Sequence, residues 1–530
     1  MADKKAEQKS EAPKDHKPFL CGVAVQVYQN SGDPNSNWGW FEKQKSTHVN
    51  LSLRISDGDL SPPDPLSVNE GNIVQADWPK LGPSTMKEGF QIGKSSDFWN
   101  RYKQDIQLCK DIGCNSFRLS LEWSRLYPRR GVLDQSAVER YNEIFDELDR
   151  QGMEPNVTLH WFTHPRWFDE IGGFLKEENV DVFVDWACTA FQLFGKRAKL
   201  WATFNEPAVA SMCGYVAGNH PPGLILHFRE CGIHLGNMMR CHAAAYEAIK
   251  ALPGGKDVQV GIVHNVFWVE PRGSGPLYAH VRAAIAVSNR VWANETVMNF
   301  LLTGEFKYWR PLWKDIHWKH PKGKPGCDFF GLNHYARGIV SWTLQPSNKG
   351  PKGIADMGYP VYPPSLYRSI TYASQLGVPV YVMENGMPSE EDDERREEWI
   401  NGCLGEVERA VDDGYDVRGY MYWTLLDNFE WNFGWLLKFG LYEWHPDNDQ
   451  KRRLRDGAKC IKKWYAELPD RLGKKLATLK PKNDKPKEQR LADADRAERD
   501  FLKQQGQSRA EIKEMMPDVR DPLKVGLDTM

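Results

Sequence analysis

The chain has 530 residues, 41% of them apolar, with 69 basic side chains against 71 acidic ones and a formal net charge of −2. That balance gives no ground for a nucleic-acid or anionic-membrane partner, and the apolar share is enough for a sizeable core. The ten cysteines form no CxxC pair and no Cys/His group with zinc spacing. No metal or other cofactor is therefore expected, and reduced thiols in the cytoplasm are.

In chain order, residues 1–16 are charged, lack the apolar stretch of a secretory signal and read as a disordered N-terminal segment. No run of about 18 apolar residues follows, so no membrane anchor is expected. Short apolar, strand-like runs occur at Leu20–Val27, Ser116–Leu121, Pro155–Trp161, Leu200–Phe204, Val258–His264, Phe329–Asn333, Val378–Met383 and Arg418–Trp423. Between them, 97–112, 136–151, 180–193, 229–251 and 395–413 carry helical apolar spacing. Eight strands alternating with helices predict an α/β fold, a single (β/α)8 TIM barrel over residues 17–468. Two long stretches without periodicity, 30–95 and 336–365, are expected as loops over the barrel's C-terminal face. Residues 469–530 read as a charged extension, partly helical or disordered, with an exposed helix near 489–507. Sequons at Asn50, Asn156 and Asn294 carry no meaning in a cytoplasmic protein.

In such a barrel the chemistry sits at the C-terminal ends of the strands. Gln29, Arg118, Glu206, Asn333, Glu384 and Trp423 all fall at or just past those ends. Two of them are glutamates in distinctive motifs, Thr203-Phe204-Asn205-Glu206-Pro207 and Tyr381-Val382-Met383-Glu384-Asn385-Gly386. Two carboxyls meeting across a pocket are what glycosidic bond cleavage requires, one to protonate the leaving oxygen and one to act as nucleophile or base. The many tryptophans (21) suit stacking on sugar rings, though tryptophan is equally common core filler.

Further motifs lie in the same order. They are Phe19-Leu20-Cys21-Gly22-Val23-Ala24 with Tyr28-Gln29, Phe117-Arg118-Leu119-Ser120 with Trp123-Ser124-Arg125, Asp328 to Tyr335, and Trp423 with Asp427-Asn428-Phe429-Glu430-Trp431. Together they resemble glycoside hydrolase family 1, the β-glucosidase family, from about Phe19 to Leu468. The resemblance implies a retaining O-glycosidase acting on a small-molecule or oligosaccharide β-glycoside, with Glu384 as nucleophile and Glu206 as acid/base. It implies a raised pKa for Glu206 and an ionised Glu384, held by Arg118 and Tyr335. Asn205 would bond the sugar 2-hydroxyl. Gln29 and Glu430 would bind hydroxyls of the non-reducing sugar, Trp423 would be its stacking platform, and Trp431 would donate its indole N–H. The Glu430 charge argues against a phosphorylated glycone, and the acid at Glu206 against a thioglucosidase.

The third-strand segment departs from the pattern: Trp161 stands where the family usually has a sugar-binding histidine, and His160 lies one residue early. Successive strand residues face opposite ways. Either the strand slips by one or the glycone 3-hydroxyl loses its partner. Ser31 likewise stands where the family commonly has glutamate. Two further readings use the same residues: a transglycosylase with the same glutamates, and a non-catalytic sugar-binding protein, which the intact carboxyl pair disfavours.

Overall fold

Alternating apolar positions decide where each strand goes. In Leu200–Asn205, Leu200 and Ala202 join Val263, Phe329, Tyr381, Met383 and Met421 in one buried cluster, while Trp201 and Phe204 join another beneath the helices. A strand buried on both faces in this way belongs to a parallel sheet covered by helices. The computed structural model describes residues 16–46, 91–273, 275–291, 294–345, 353–390, 393–445, 448–479 and 485–508, with 512 and 516. Residues 1–15, the Asn50 sequon and positions 47–90 of the first expected loop lie outside the described residues.

The eight expected strands are β1 (Leu20–Val25), β2 (Ser116–Ser120), β3 (Glu154–His160), β4 (Leu200–Asn205), β5 (Gln259–Asn265), β6 (Phe330–Asn333), β7 (Val380–Asn385) and β8 (Val417–Tyr422). They close a parallel barrel in sequence order, β8 pairing with β1 through Leu20 and Gly419. Each is followed by a helix: α1 (Phe98–Asp111), α2 (Gln135–Gln151), α3 (Val180–Phe194), α4 (Phe228–Ala251), α5 (Asn294–Thr303), α6 (Pro364–Ala373), α7 (Asp393–Asp412) and α8 (Ile461–Thr478). Asp134 shows how local chemistry sets these limits. Its carboxylate accepts from the N–H groups of Ser136 and Ala137 at the start of α2, and Gly152 ends the helix in the left-handed conformation.

Three expectations change. The loop after β1 is partly ordered, with a helix at Asn37–Ser46. The loop after β6 contains a strand, Arg337–Val340, paired with Trp268–Pro271. The boundary at 468 falls inside α8, and a further helix near the C-terminal end of the described residues, α9 (Lys487–Gln504), packs on the barrel instead of standing free in solvent. The reason it escapes an apolar-stripe reading is chemical. Ala494, Ala497 and Leu502 are its buried apolar side chains, and the rest of the contact is polar, with Asp493 and Glu498 buried. Arg368 donates from Nε to Glu498 Oε1 at 2.7 Å, and Tyr415 Oη donates to Asp493 Oδ2 at 2.8 Å. The sequon residues Asn156 and Asn294 are both buried. No helix among the described residues is long and apolar enough to cross a membrane.

The β4 end is braced from outside by Phe183 of α3, whose ring stacks on Phe204 at 4.6 Å between centroids. Phe183→Ala is expected to cost about 3–5 kcal/mol in chemical denaturation, the usual penalty for emptying a buried phenyl site. A loss under about 1 kcal/mol would show that this contact does not anchor the strand.

Candidate active site

Irregular strand ends aim the site. The β4–β5 pairing shifts register between Ala202 and Asn205, and β7 shifts against both neighbours after Val382. Such shifts re-aim side chains next to active sites. Glu206 then takes a left-handed backbone, φ 47°, at the start of helix Pro207–Tyr215. A non-glycine residue in that region is held there by its surroundings. Gly386 is needed for another reason: a Cβ there would lie 1.9 Å from the Trp423 carbonyl oxygen.

The two glutamates are joined by one polar network. Arg118 Nη1 donates to Glu384 Oε1 at 2.9 Å, and Nη2 donates to Asn205 Oδ1 at 2.7 Å. Asn333 Nδ2 donates to Glu206 Oε1 at 2.6 Å and to the same Asn205 oxygen at 3.1 Å. Tyr335 Oη donates to Glu384 Oε2, and Arg118 Nε donates to Thr158 Oγ1 at 3.2 Å. Both glutamates and Arg118 are buried. Burial raises the Glu206 pKa well above its usual range, and the neighbouring Glu384 charge raises it further, against the Asn333 bond. Burial also raises Glu384, opposed by the Arg118 charge and by the Tyr335, Arg118 and Asn333 bonds. The expected contrast is thus one of degree, set by how many groups stabilise each anion.

At the other end of the pocket, Gln29 Nε2 donates to the Phe429 carbonyl at 3.0 Å and lies 3.4 Å from Glu430 Oε2. Burial, then the Glu384 charge, pushes Glu430 up to about 8, against bonds from Trp423 and Gln29. The Glu430 anion is therefore disfavoured in this setting relative to a carboxylate in water. Trp431 is packed among Trp38 (4.7 Å between centroids), Phe162 (5.2 Å) and Tyr28 (6.3 Å).

The question at the third strand is answered by its end. Leu159 and His160 both face outward, so the alternation breaks. His160 packs on Phe174 and Phe204 and shares a hydrogen bond of 3.2 Å with His164. Trp161 turns inward, 3.8 Å beneath the Arg118 guanidinium and 5.7 Å from Trp423. His160 does not replace the family histidine.

All ten expected site residues, Gln29, Arg118, Trp161, Asn205, Glu206, Tyr335, Glu384, Trp423, Glu430 and Trp431, line or brace this one mouth of the barrel. The sequence reading gave no role to Asn333, although its place at a strand end marked it, and it missed Trp38 and His220. Trp38 lies in the helix Asn37–Ser46 of the stretch after β1, His220 in the connection after helix Pro207–Tyr215, and their rings meet at 5.0 Å between centroids. Burial lowers His220 to about 3, so it is neutral. Gln29 Oε1, Asn205 Nδ2, Asn333 Oδ1, Trp38 Nε1 and His220 Nδ1 are buried without a hydrogen-bond partner. Buried polar atoms ordinarily have partners, so a cluster of orphans in a pocket marks groups kept for a polar ligand.

A (β/α)8 barrel with two networked glutamates and an aromatic wall at its mouth defines the class, a glycoside-cleaving enzyme. The profile of Glycosyl hydrolase family 1 matches residues 78–473, and the chain belongs to that family. It is 31% identical over 472 residues to the peroxisomal β-glucosidase 26 of Arabidopsis thaliana, covering 76% of this chain and 81% of that one. It is 30% identical to the furostanol glycoside 26-O-β-glucosidase of Hellenia speciosa, covering 75% of this chain and 79% of that one. Among solved structures, a β-glycosidase from Pyrococcus horikoshii superposes with a TM-score of 0.68 at 30% identity, over 86% of this chain and 97% of that one. The chain is an O-glycosyl hydrolase of the β-glycosidase type.

Tyr335→Phe removes a hydrogen bond that favours the Glu384 anion. For an ionised nucleophile at Glu384, the role the family resemblance implies, raising its pKa moves the acid limb of the pH–rate profile to higher pH. A fall of roughly 10–100-fold in kcat/KM should accompany the shift, the scale for a lost bond to a charged group. An unmoved acid limb would remove Tyr335 from this role.

Proposed function

We propose that the protein is a retaining β-glycosidase that releases a terminal, non-reducing β-D-glucosyl or related sugar through a covalent glycosyl-enzyme on Glu384. The observation that carries this is the bonded bridge Glu384–Arg118–Asn205–Asn333–Glu206, which places both carboxyls in one buried network and surrounds them unequally. The Glu384 carboxylate attacks the anomeric carbon as its bond to the aglycone oxygen breaks, and Glu206 gives that oxygen its proton. The ester on Glu384 carries no charge, so Glu206, now an anion, is no longer raised by its neighbour. It then takes a proton from water, which attacks the same carbon and frees Glu384. Asn205 meets the 2-hydroxyl, where a bond that strengthens in the transition state counts most. The many β-glucosidases among the relatives support a glucose-like glycone. A cytoplasmic location is part of the same proposal, supported by ten free cysteines.

A mechanism-based 2-fluoro glycoside should label Glu384, and chromogenic β-glycosides should be hydrolysed by the wild type but not by Glu384→Gln. Label on another residue, or a Glu384→Gln variant as active as wild type, rejects the reading. Adding a sugar acceptor decides between water and transfer: a monosaccharide as the sole product excludes a transglycosylase.

Trp161 offers a ring face where a hydroxyl would seek a hydrogen-bond partner. A pocket that does not bond a hydroxyl discriminates weakly against the analogue lacking it. The wild type should therefore prefer a β-glucoside over its 3-deoxy analogue by less than about tenfold in kcat/KM. Trp161→His should widen that ratio. A large wild-type ratio would show that another group serves the 3-hydroxyl.

A further inference from the structure

One short segment serves both glutamates. Asn333, ending β6, bonds Glu206, and Tyr335, two residues on, bonds Glu384. Between them, the His334 N–H donates to the Glu384 carbonyl at 3.1 Å. The side of the segment away from the pocket is held as firmly. His334 Nε2 meets Ser365 Oγ of α6 at 2.8 Å, and its Nδ1 meets the Val266 carbonyl at 2.8 Å. Arg337 Nη1 donates to Glu270 Oε2 at 3.0 Å, and the guanidinium lies 3.6 Å over the Tyr362 ring.

This outer anchor continues into α9, which lies beyond the family match at residues 78–473. Glu498 Oε2 is 3.9 Å from Arg337 Nη1, and its Oε1 accepts from Arg368 Nε at 2.7 Å. Arg368 also donates to Asp495 Oδ1 at 2.8 Å. Arg337, Arg368, Glu270 and Glu498 are each less than a tenth exposed, at 2%, 7%, 8% and 2%. Two buried guanidinium groups are therefore balanced by two buried carboxylates, one of them supplied by the C-terminal helix. Removing one member of a buried charge set leaves the others uncompensated. Arg337 then has reason to move toward Glu270 or solvent, and it is joined to Tyr335 through one intervening residue.

We propose that Glu498 is a positioning residue: through Arg337 and Arg368 it clamps the segment 333–337 and so holds Asn333 and Tyr335 against the two catalytic glutamates. The C-terminal helix is then a working part of the glycosidase rather than an appendage. The proposal rests on the β-glycosidase reading for the two glutamates but is indifferent to which glycone is cleaved.

The test compares two variants of the full chain. Glu498→Gln removes the charge in nearly the same shape, while Tyr415→Phe removes a different α9 contact, the bond to Asp493. Thermal midpoints are measured for both, with kcat and KM on a chromogenic glycoside and hydrogen exchange of the peptides spanning 333–340. Glu498→Gln is expected to lower kcat about tenfold, the scale of a slightly misplaced catalytic contact, with KM little changed. It should also raise exchange in 333–340. Tyr415→Phe is expected to loosen α9 while leaving kcat and that exchange as in wild type. Glu498→Gln with wild-type kcat and exchange overturns the proposal. So does an equal loss of kcat in both variants at equal loss of thermal midpoint, since that is a purely structural role. If Glu498→Gln does not fold, Glu498→Asp, which keeps the charge but shortens its reach, carries the same comparison. The exchange measurement needs no substrate, so it judges the clamp even if the assigned reaction fails.

Discussion

Arg118 and Glu384 form an ion pair of 2.9 Å with side chains only 1% and 5% exposed. A pair this far from water is stable only when every remaining donor and acceptor is matched, because desolvating two charges costs several kcal/mol per ion. The rest of the pocket follows from that requirement. Thr158, the Met383 carbonyl and Asn205 accept from three of the other four Arg118 N–H groups. Tyr335 takes the second Glu384 oxygen, and the Trp161 ring covers the guanidinium face.

The same low-dielectric setting gives the carboxyls unequal surroundings. Glu384 has a cation and three hydrogen-bond donors, Glu206 has Asn333 and a neighbouring anion, and Glu430 has two donors and no paired cation among the described residues. The three share one buried space, so the charge of each depends on the others. The segment from Asn333 to Arg337 matters because it touches two of these groups from one side and the outer helices from the other.

Much of the barrel was legible along the chain. Strands such as Leu200–Asn205 are runs of a kind that only a doubly covered parallel sheet buries, and helix limits such as Asp134 and Gly152 carry their own capping chemistry. The two candidate glutamates, Glu206 and Glu384, were legible because they stand at the ends of such runs. Trp38 and His220 were not: each reaches the pocket from a connection between barrel strands whose path depends on contacts distant in sequence, Trp38 from a helix within it. Helix α9 escaped a correct reading because charge pairs and alanines replace an apolar stripe, and the partners of its charges, Arg368 and Tyr415, lie far earlier in the chain.

By itself, the sequence determined the eight-strand barrel, the order of its elements and the two glutamates proposed for the chemistry, since periodicity and motif spacing are local properties. Tertiary structure alone decided which way the third strand's end turns, inward for Trp161 and outward for His160, because a break in alternation is set by what packs on each side. It alone also decided the proton affinities of Glu206, Glu384 and Glu430, and the docking of α9. Burial and charge compensation are properties of neighbours in space, and the residues that supply them here stand as far apart as the 266 positions between Arg118 and Glu384.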